Sequence, residues 1–204
     1  MITYLFLAIF ICLMGYMVYF QTVKSEDFIN SPYNSRQDTF ADRVVRGKIM
    51  SADGKVLAET VVDAAGNETR KYPYGNMYAH VVGFSTNGKS GIESNMNFNL
   101  LRSHSFVLER MFNEIKDEKS MGDNVVTTLD STLQETAYQA LGNYDGAVVV
   151  MEPSTGKVLA MVSKPDFDPN TIAADWDSII SEDNNNSVLL NRATQGLYPP
   201  GSTF

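Results

Sequence analysis

"NVVTTLDSTLQETAYQALGNYDGAVVVMEPSTGKVLAMVSKPDFDPN", Asn124 to Asn170, is the stretch on which the fold turns. Its opening, "NVVTTLD", alternates as a strand does and closes on Asp130, a residue suited to cap a helix. "STLQETAYQAL" then sets Leu133, Ala137 and Leu141 on one helical face, and Gly142-Asn143 stops the run. "GAVVVMEPSTGKVLAMVS" reads as two apolar strands joined by a tight turn, with proline early and glycine late. Strand, helix and hairpin in that order predict an antiparallel sheet backed by a helix.

Upstream, "RVVRGKIMSADGKVLAET", Arg43 to Thr60, places two β-branched or apolar segments around Ser51-Ala52-Asp53-Gly54, and Asp-Gly is a strong hairpin signal. "NETRKYPYG" is a further extended stretch split by Pro73, which predicts an edge strand or a strand end. "NMYAHVVGF" predicts a short helix ending at Gly83, and "GKSGIESNMNFNLL" a glycine-bearing turn followed by a helical run. Phe106 to Gly122 is charged and mixed, without a clear period. Downstream of Lys164 the chain is polar and loop-rich, with a helix expected near Asp175 to Ser181 and a short polar loop at Asn184 to Asn186. The mixture predicts an α+β fold.

The first residues differ in style. Ile2 to Phe20, "ITYLFLAIFICLMGYMVYF", carries no charge. About 19 residues at roughly 1.5 Å each make a helix of about 28 Å, near the thickness of a hydrocarbon core. Tyr16, Tyr19 and Phe20 gather at its far end, where interfacial aromatics sit. The run exceeds the usual signal-peptide core and no small-x-small site follows "VYFQTVKSE", which favours an uncleaved anchor over a cleaved signal. Residues Gln21 to Phe40 read as a polar helix or stalk leaving the membrane. No Lys or Arg precedes the span, whereas Lys24, Arg36, Arg43 and Arg46 follow it, so a literal positive-inside count places the body in the cytoplasm. A chain clipped at its start would remove that conflict.

Composition narrows the chemistry. A formal charge of −8 over 204 residues argues against a nucleic-acid partner, which needs a basic stripe. The single cysteine, Cys12, lies within the apolar run, which leaves no disulfide framework and no thiol chemistry. His80 and His104 are the only histidines and lack metal-ligand spacing; His80 is expected to be packed or hydrogen-bonded. Asp166 and Asp168 could do acid–base work, but a solvated turn explains them more simply. Gly88, Gly91 and Glu93 fit a tight turn and a structural carboxylate better than a phosphate loop. Arg46 and Glu93 are candidate structural contacts, and Trp176 a cover for a domain edge. No cofactor and no metal is expected.

The remaining candidate is Ser202 in "YPPGSTF", Tyr198 to Phe204. Pro199 and Pro200 fix two φ angles, Gly201 relaxes the next, and Ser202 sits where a helix would begin. Taken alone it is a helix cap. Some serine acyl-transfer enzymes place Ser-x-x-Lys at a helix start, where the lysine one turn later can accept or relay the serine proton.

The segment Asn124 to Asn170 resembles the opening of the transpeptidase domain of class B penicillin-binding proteins. "NRATQGLYPPGSTF" resembles the approach to that family's nucleophile, and "RGKIMSADGKVLAET" and "HVVGFSTNGKSGIE" resemble motifs of its N-terminal pedestal. The resemblance implies an anchor over 1–22, a small β-rich pedestal (dimerisation-like) domain over 23–121, and over 122–204 the incomplete start of a transpeptidase domain, an antiparallel sheet packed with helices. It implies that Ser202 is the nucleophile, attacking the penultimate D-alanine carbonyl of peptidoglycan stem peptides and acylated by β-lactams. Its backbone N–H would be one oxyanion-hole donor. The bulk of the chain would then lie outside a bacterial cell membrane, with a membrane glycosyltransferase of the elongation or division complex as partner.

The motif lysine and the family's later Ser-x-Asn and Lys-Thr-Gly elements do not occur in these residues. The expectation is therefore an amino-terminal fragment of a cell-wall D,D-transpeptidase, inactive by itself. A second possibility from another class is a non-catalytic, membrane-tethered component of the wall or division machinery that keeps the pedestal as a docking surface. A β-lactamase or β-lactam sensor shares the serine motif, but the anchor and pedestal disfavour it.

Overall fold

The computed structural model describes residues 2–25, 28, 44–103, 119–181, 187–199 and 201–203. Most of the expected stalk, the charged segment after Ser103, the loop at Asn184 to Asn186, His104 and Pro200 lie outside the described residues.

Helix α1, Ile2–Tyr19, continues through a wider turn at Phe20–Lys24. Within the run from Ile2 to Lys24 an 18-residue window has a mean hydropathy of 2.1, and none of it is buried. The run is long and apolar enough to cross a membrane.

Strands β1 (Val44–Val45), β2 (Ile49–Met50), β3 (Val56–Val62) and β4 (Glu68–Lys71) follow. β2 and β3 form the predicted hairpin: Ser51 N–H donates to the Lys55 carbonyl at 2.9 Å, and Gly54 takes the left-handed φ of 83° that the turn requires. β4 ends before Pro73 and is the edge strand, pairing only with β3 in the order β4-β3-β2-β6. A 3₁₀ turn, Gly75–Tyr78, leads into α2, Ala79–Val82, which stops at Gly83 as expected. Helices α3, Gly91–Asn95, and α4, Asn97–Leu101, complete the run. Ile49, Leu57, Tyr72, Val82, Leu100 and Leu129 bury together as the core of this part.

The chain returns through β5, Ser120–Met121, parallel to β1, and β6, Val125–Val126, parallel to β2. "NVVTTLD" is thus extended, as its alternation predicts, but it pairs with the upstream hairpin and not with the strands that follow it. Val125 N–H donates to the Lys48 carbonyl, Thr127 N–H to Met50, and Ala52 N–H to Leu129. Its backbone partners are consumed there.

Asp130 caps α5, Ser131–Leu141, accepting from the amides of Thr132 and Leu133 at 2.9 Å each. The hairpin β7 (Gly146–Met151) and β8 (Val158–Lys164) is antiparallel, with Gly156 at φ 74° in its turn. Ala137, Ala160 and Val162 form its core with α5. The helix face differs by one step from the expectation: Leu133 is 38% exposed, whereas Gln134 is fully buried. Positions 134, 137, 138 and 141 share the buried face, and an amide heads it. Helix α6 runs Ile172–Ile180, and α7 Arg192–Gln195.

One ion cluster lies inside the first part. Arg46 Nε meets Glu93 Oε2 at 2.6 Å and Arg70 Nε meets Glu93 Oε1 at 2.8 Å; the carboxylate is 0% exposed and the arginines 11% and 7%. Arg46 also donates to the Glu93 carbonyl, and Arg70 to the Gly47 carbonyl and Thr60 hydroxyl. Arg46 and Glu93 are therefore in contact, and Arg70 joins them. Because removing one member leaves buried charge uncompensated, Glu93→Gln is expected to cost about 3–5 kcal/mol in denaturant unfolding. Glu59→Gln, which breaks a partly exposed pair with Lys48, should cost less than about 1 kcal/mol.

Candidate active site

The site is built from β8 outward. Ser163, near the end of β8, is buried, and its hydroxyl donates to the Leu190 carbonyl at 3.4 Å and accepts from Arg192 N–H at 2.9 Å. Asn191 between them caps α7: its Oδ1 accepts from Ala193 N–H at 3.0 Å. Its Nδ2 donates to the His80 carbonyl at 3.3 Å, which links the lead-in to α2. α7 ends at Gly196, where a Cβ would stand 2.5 Å from the Arg192 carbonyl and 2.4 Å from the Tyr198 ring. Only glycine fits that approach. After Pro199 the chain reaches Gly201, at φ 57°, and a single 3₁₀ turn, Gly201–Thr203, on which Ser202 is exposed. Ser202 is the middle residue of that turn.

His80 is packed, as expected. Its Nε2 lies 3.1 Å from the Pro165 carbonyl, and its ring meets Phe167 edge-on at 5.2 Å. Burial pushes its pKa below the usual imidazole value. Phe167 continues to Phe84, and Phe84 to Trp176 at 6.0 Å, so Trp176 does cover an edge of the structure.

Asp166 is not a solvated turn residue. It accepts from Asn76 Nδ2 at 3.0 Å and from the Tyr138 hydroxyl at 2.7 Å. Burial, and then the Asp166 carboxylate, push Tyr138 up to about 12, so the phenol keeps the proton it donates at neutral pH. Asp168 accepts from the backbone and side-chain amides of Asn170 in a local turn. The two carboxylates therefore bind different partners and do not form an acid–base pair. Gly88 and Gly91 have positive φ, and Glu93 belongs to the arginine cluster.

Several polar residues escaped the sequence reading. Gln134 Nε2 donates to the carbonyls of Met77 and Met161 at 2.8 and 2.9 Å, and its Oε1 accepts from Met161 N–H at 2.8 Å. Asn170 pairs with both backbone groups of Tyr72, at 2.9 and 3.0 Å. Asp53 in the β2–β3 turn accepts from the Ser131 hydroxyl, and hydrogen bonds from Ser131 and then Ser51 hold it down at about 2. Asn191, directly before "RATQ", carried a legible cap signal; its second partner, 111 residues away, did not.

Comparison with known proteins agrees with this geometry. Residues 46–125 match the model "Penicillin binding protein A dimerisation domain", and residues 146–204 the model "Penicillin binding protein transpeptidase domain". The chain is 39% identical over 182 residues to a Mycolicibacterium smegmatis peptidoglycan D,D-transpeptidase PbpA, covering 78% of this chain and 35% of that protein. It is 33% identical over 179 residues to the Escherichia coli K12 peptidoglycan D,D-transpeptidase MrdA, covering 70% and 28%. Among solved structures, penicillin-binding protein A from Mycobacterium tuberculosis, an imipenem acyl-enzyme complex, superposes with a TM-score of 0.68 at 35% identity. That match covers 79% of this chain and 40% of the other. The chain thus spans about a third of the length of the curated relatives it matches.

The buried imidazole gives a pH dependence. Its folded pKa lies below the unfolded value of 6.5, so below that pH the unfolded state binds more protons and stability falls. Relative to His80→Gln, the wild type should hold a constant stability difference above about pH 7 and lose ground below about pH 6, read from thermal midpoints at each pH.

Proposed function

The chain belongs to the penicillin-binding proteins, and from that premise we propose that it is part of a membrane-anchored peptidoglycan D,D-transpeptidase in which Ser202 is the acylated nucleophile. The observation that carries the proposal is the exposed Ser202 on a 3₁₀ turn, at the end of a segment that matches the transpeptidase domain.

In the proposed reaction Ser202 Oγ attacks the carbonyl carbon of the penultimate D-alanine of a stem peptide. The amide bond to the terminal D-alanine breaks, the serine proton passes through a base to the leaving amine, and an acyl-serine ester remains. An amine of a neighbouring stem then attacks the ester, forming the cross-link and returning the proton to Ser202. The base is the lysine that the family places one turn after the serine. Developing charge on the carbonyl oxygen needs pre-oriented donors, of which Ser202 N–H is one. β-Lactams enter as carbonyl electrophiles at the same serine, in keeping with the acyl-enzyme complex of the mycobacterial relative.

The apolar helix Ile2–Tyr19 supports a single-pass anchor. The substrate lies outside the cytoplasmic membrane, which puts the bulk of the chain on that side. A membrane glycosyltransferase that polymerises the glycan is the partner such chemistry requires. By the same proposal, a polypeptide of residues 1–204 alone has no lysine after Ser202 to activate it and stays inactive.

In the full-length protein, incubation with a synthetic stem pentapeptide is expected to release D-alanine, and Ser202→Ala to reduce release to the uncatalysed background. Retention of release by the alanine variant would overturn the assignment.

A further inference from the structure

We propose that Asn191 is a positioning residue for Ser202: its side chain caps the helix that leads to the nucleophile and ties that helix to the carbonyl of His80. The inference rests on the reading of Ser202 as the acyl nucleophile.

Three observations converge on it. First, Asn191 uses opposite ends of one amide: Oδ1 accepts from Ala193 N–H, and Nδ2 donates to the His80 carbonyl and also meets Met161 Sδ at 3.7 Å. The first fixes where α7 starts, and the second fixes where α7 lies against α2. Second, His80 is itself immobilised, because its ring is held by the Pro165 carbonyl and by Phe167. Its carbonyl is therefore a fixed anchor and not a loop group that would follow Asn191.

Third, the tie spans an opening. A cleft of about 370 Å³ separates α2 and α3 from the lead-in, lined by His80, Ser90, Ile92, Met161, Asn191 and Gln195 among others. Leu189 packs against the cluster of Ala79 and Phe167 just before α7, and the Asn191 amide adds a directional bond from α7 to α2. On the opposite side Ser163 holds the backbone of Leu190 and Arg192 to β8. Beyond α7 the glycine-tight turn at Gly196 passes the orientation of α7 directly into Tyr198 and Pro199. An error in the pitch of α7 is thus passed to the Tyr198 and Pro199 segment that leads to Ser202. Small displacements of a nucleophile are costly, on the order of a hundredfold for about 1 Å.

The test uses the full-length protein and compares three variants by the kinetics of acylation with a fluorescent penicillin, resolving the acylation rate constant from the dissociation constant of the prior complex. Asn191→Asp and Asn191→Ser both keep a capping oxygen but lose the donor to His80. Asn170→Ala removes a comparable pair of bonds, to Tyr72, that does not touch the lead-in. The expected result is a fall of roughly ten- to a hundredfold in the acylation rate constant for both Asn191 variants, with the dissociation constant unchanged. Asn170→Ala should lower the thermal midpoint and leave the rate constant within about twofold of wild type. The serine variant carries the comparison should the aspartate variant not fold. Wild-type rate constants in the Asn191 variants, or an equal loss in Asn170→Ala, would overturn the proposal. A wild-type protein that is not acylated at all would instead overturn the reading of Ser202, and the positioning role with it.

Discussion

The run from Asn124 to Leu129, laid parallel against Lys48 to Ala52, is the constraint from which the rest of the structure follows. Its bonds run from Val125 N–H to Lys48, from Thr127 N–H to Met50, and from Ala52 N–H to Leu129. A parallel pair cannot be closed by a tight turn, so the chain between the two strands must form a crossover. Here that crossover is the outer part of the sheet and helices α2 to α4. The approach is close enough that a Cβ at Gly47 would stand 2.0 Å from the Asp123 carbonyl. Once the strand is seated, Asp130 follows it directly, and with it the start of α5.

Beyond that strand the two matched regions are joined by an apolar cluster, Ala79 and Phe84 with Phe167 and Ile172, and by a set of polar ties. Gln134 bridges Met77 and Met161, Asn76 reaches Asp166, Asn170 mimics a strand partner for Tyr72, and Asn191 reaches His80. Buried polar groups are tolerated only when satisfied, and satisfaction demands one geometry. An apolar interface could slide; this one specifies a register. The aromatic chain His80, Phe167, Phe84 and Trp176 supplies the apolar burial around those bonds.

Local grammar made much of this legible. The Asp-Gly turn, the Asp130 cap, the stops at Gly83 and Gly142 and the edge strand before Pro73 each depend on a few adjacent residues, and each is where the sequence places it. The pairing of "NVVTTLD" was not legible, because alternation identifies a strand without naming its partner. Leu133 misled because hydrophobic spacing has no entry for a glutamine whose amide replaces backbone partners. Asp166 misled for the same reason: its partners, Asn76 and Tyr138, come from distant parts of the chain. At the candidate site the serine is proposed from its own sequence context, whereas the side chains that hold its lead-in were visible only once β8 and α2 had been brought together.

The proposed chemistry rests on one serine at the end of a lead-in that Ser163 and Asn191 hold in place. The most direct measurement is peptide mapping by mass spectrometry of the full-length protein after reaction with benzylpenicillin. The account predicts a mass increase of one intact penicillin on the peptide that contains Ser202. An adduct on any other residue, or no adduct in a folded protein, would contradict it.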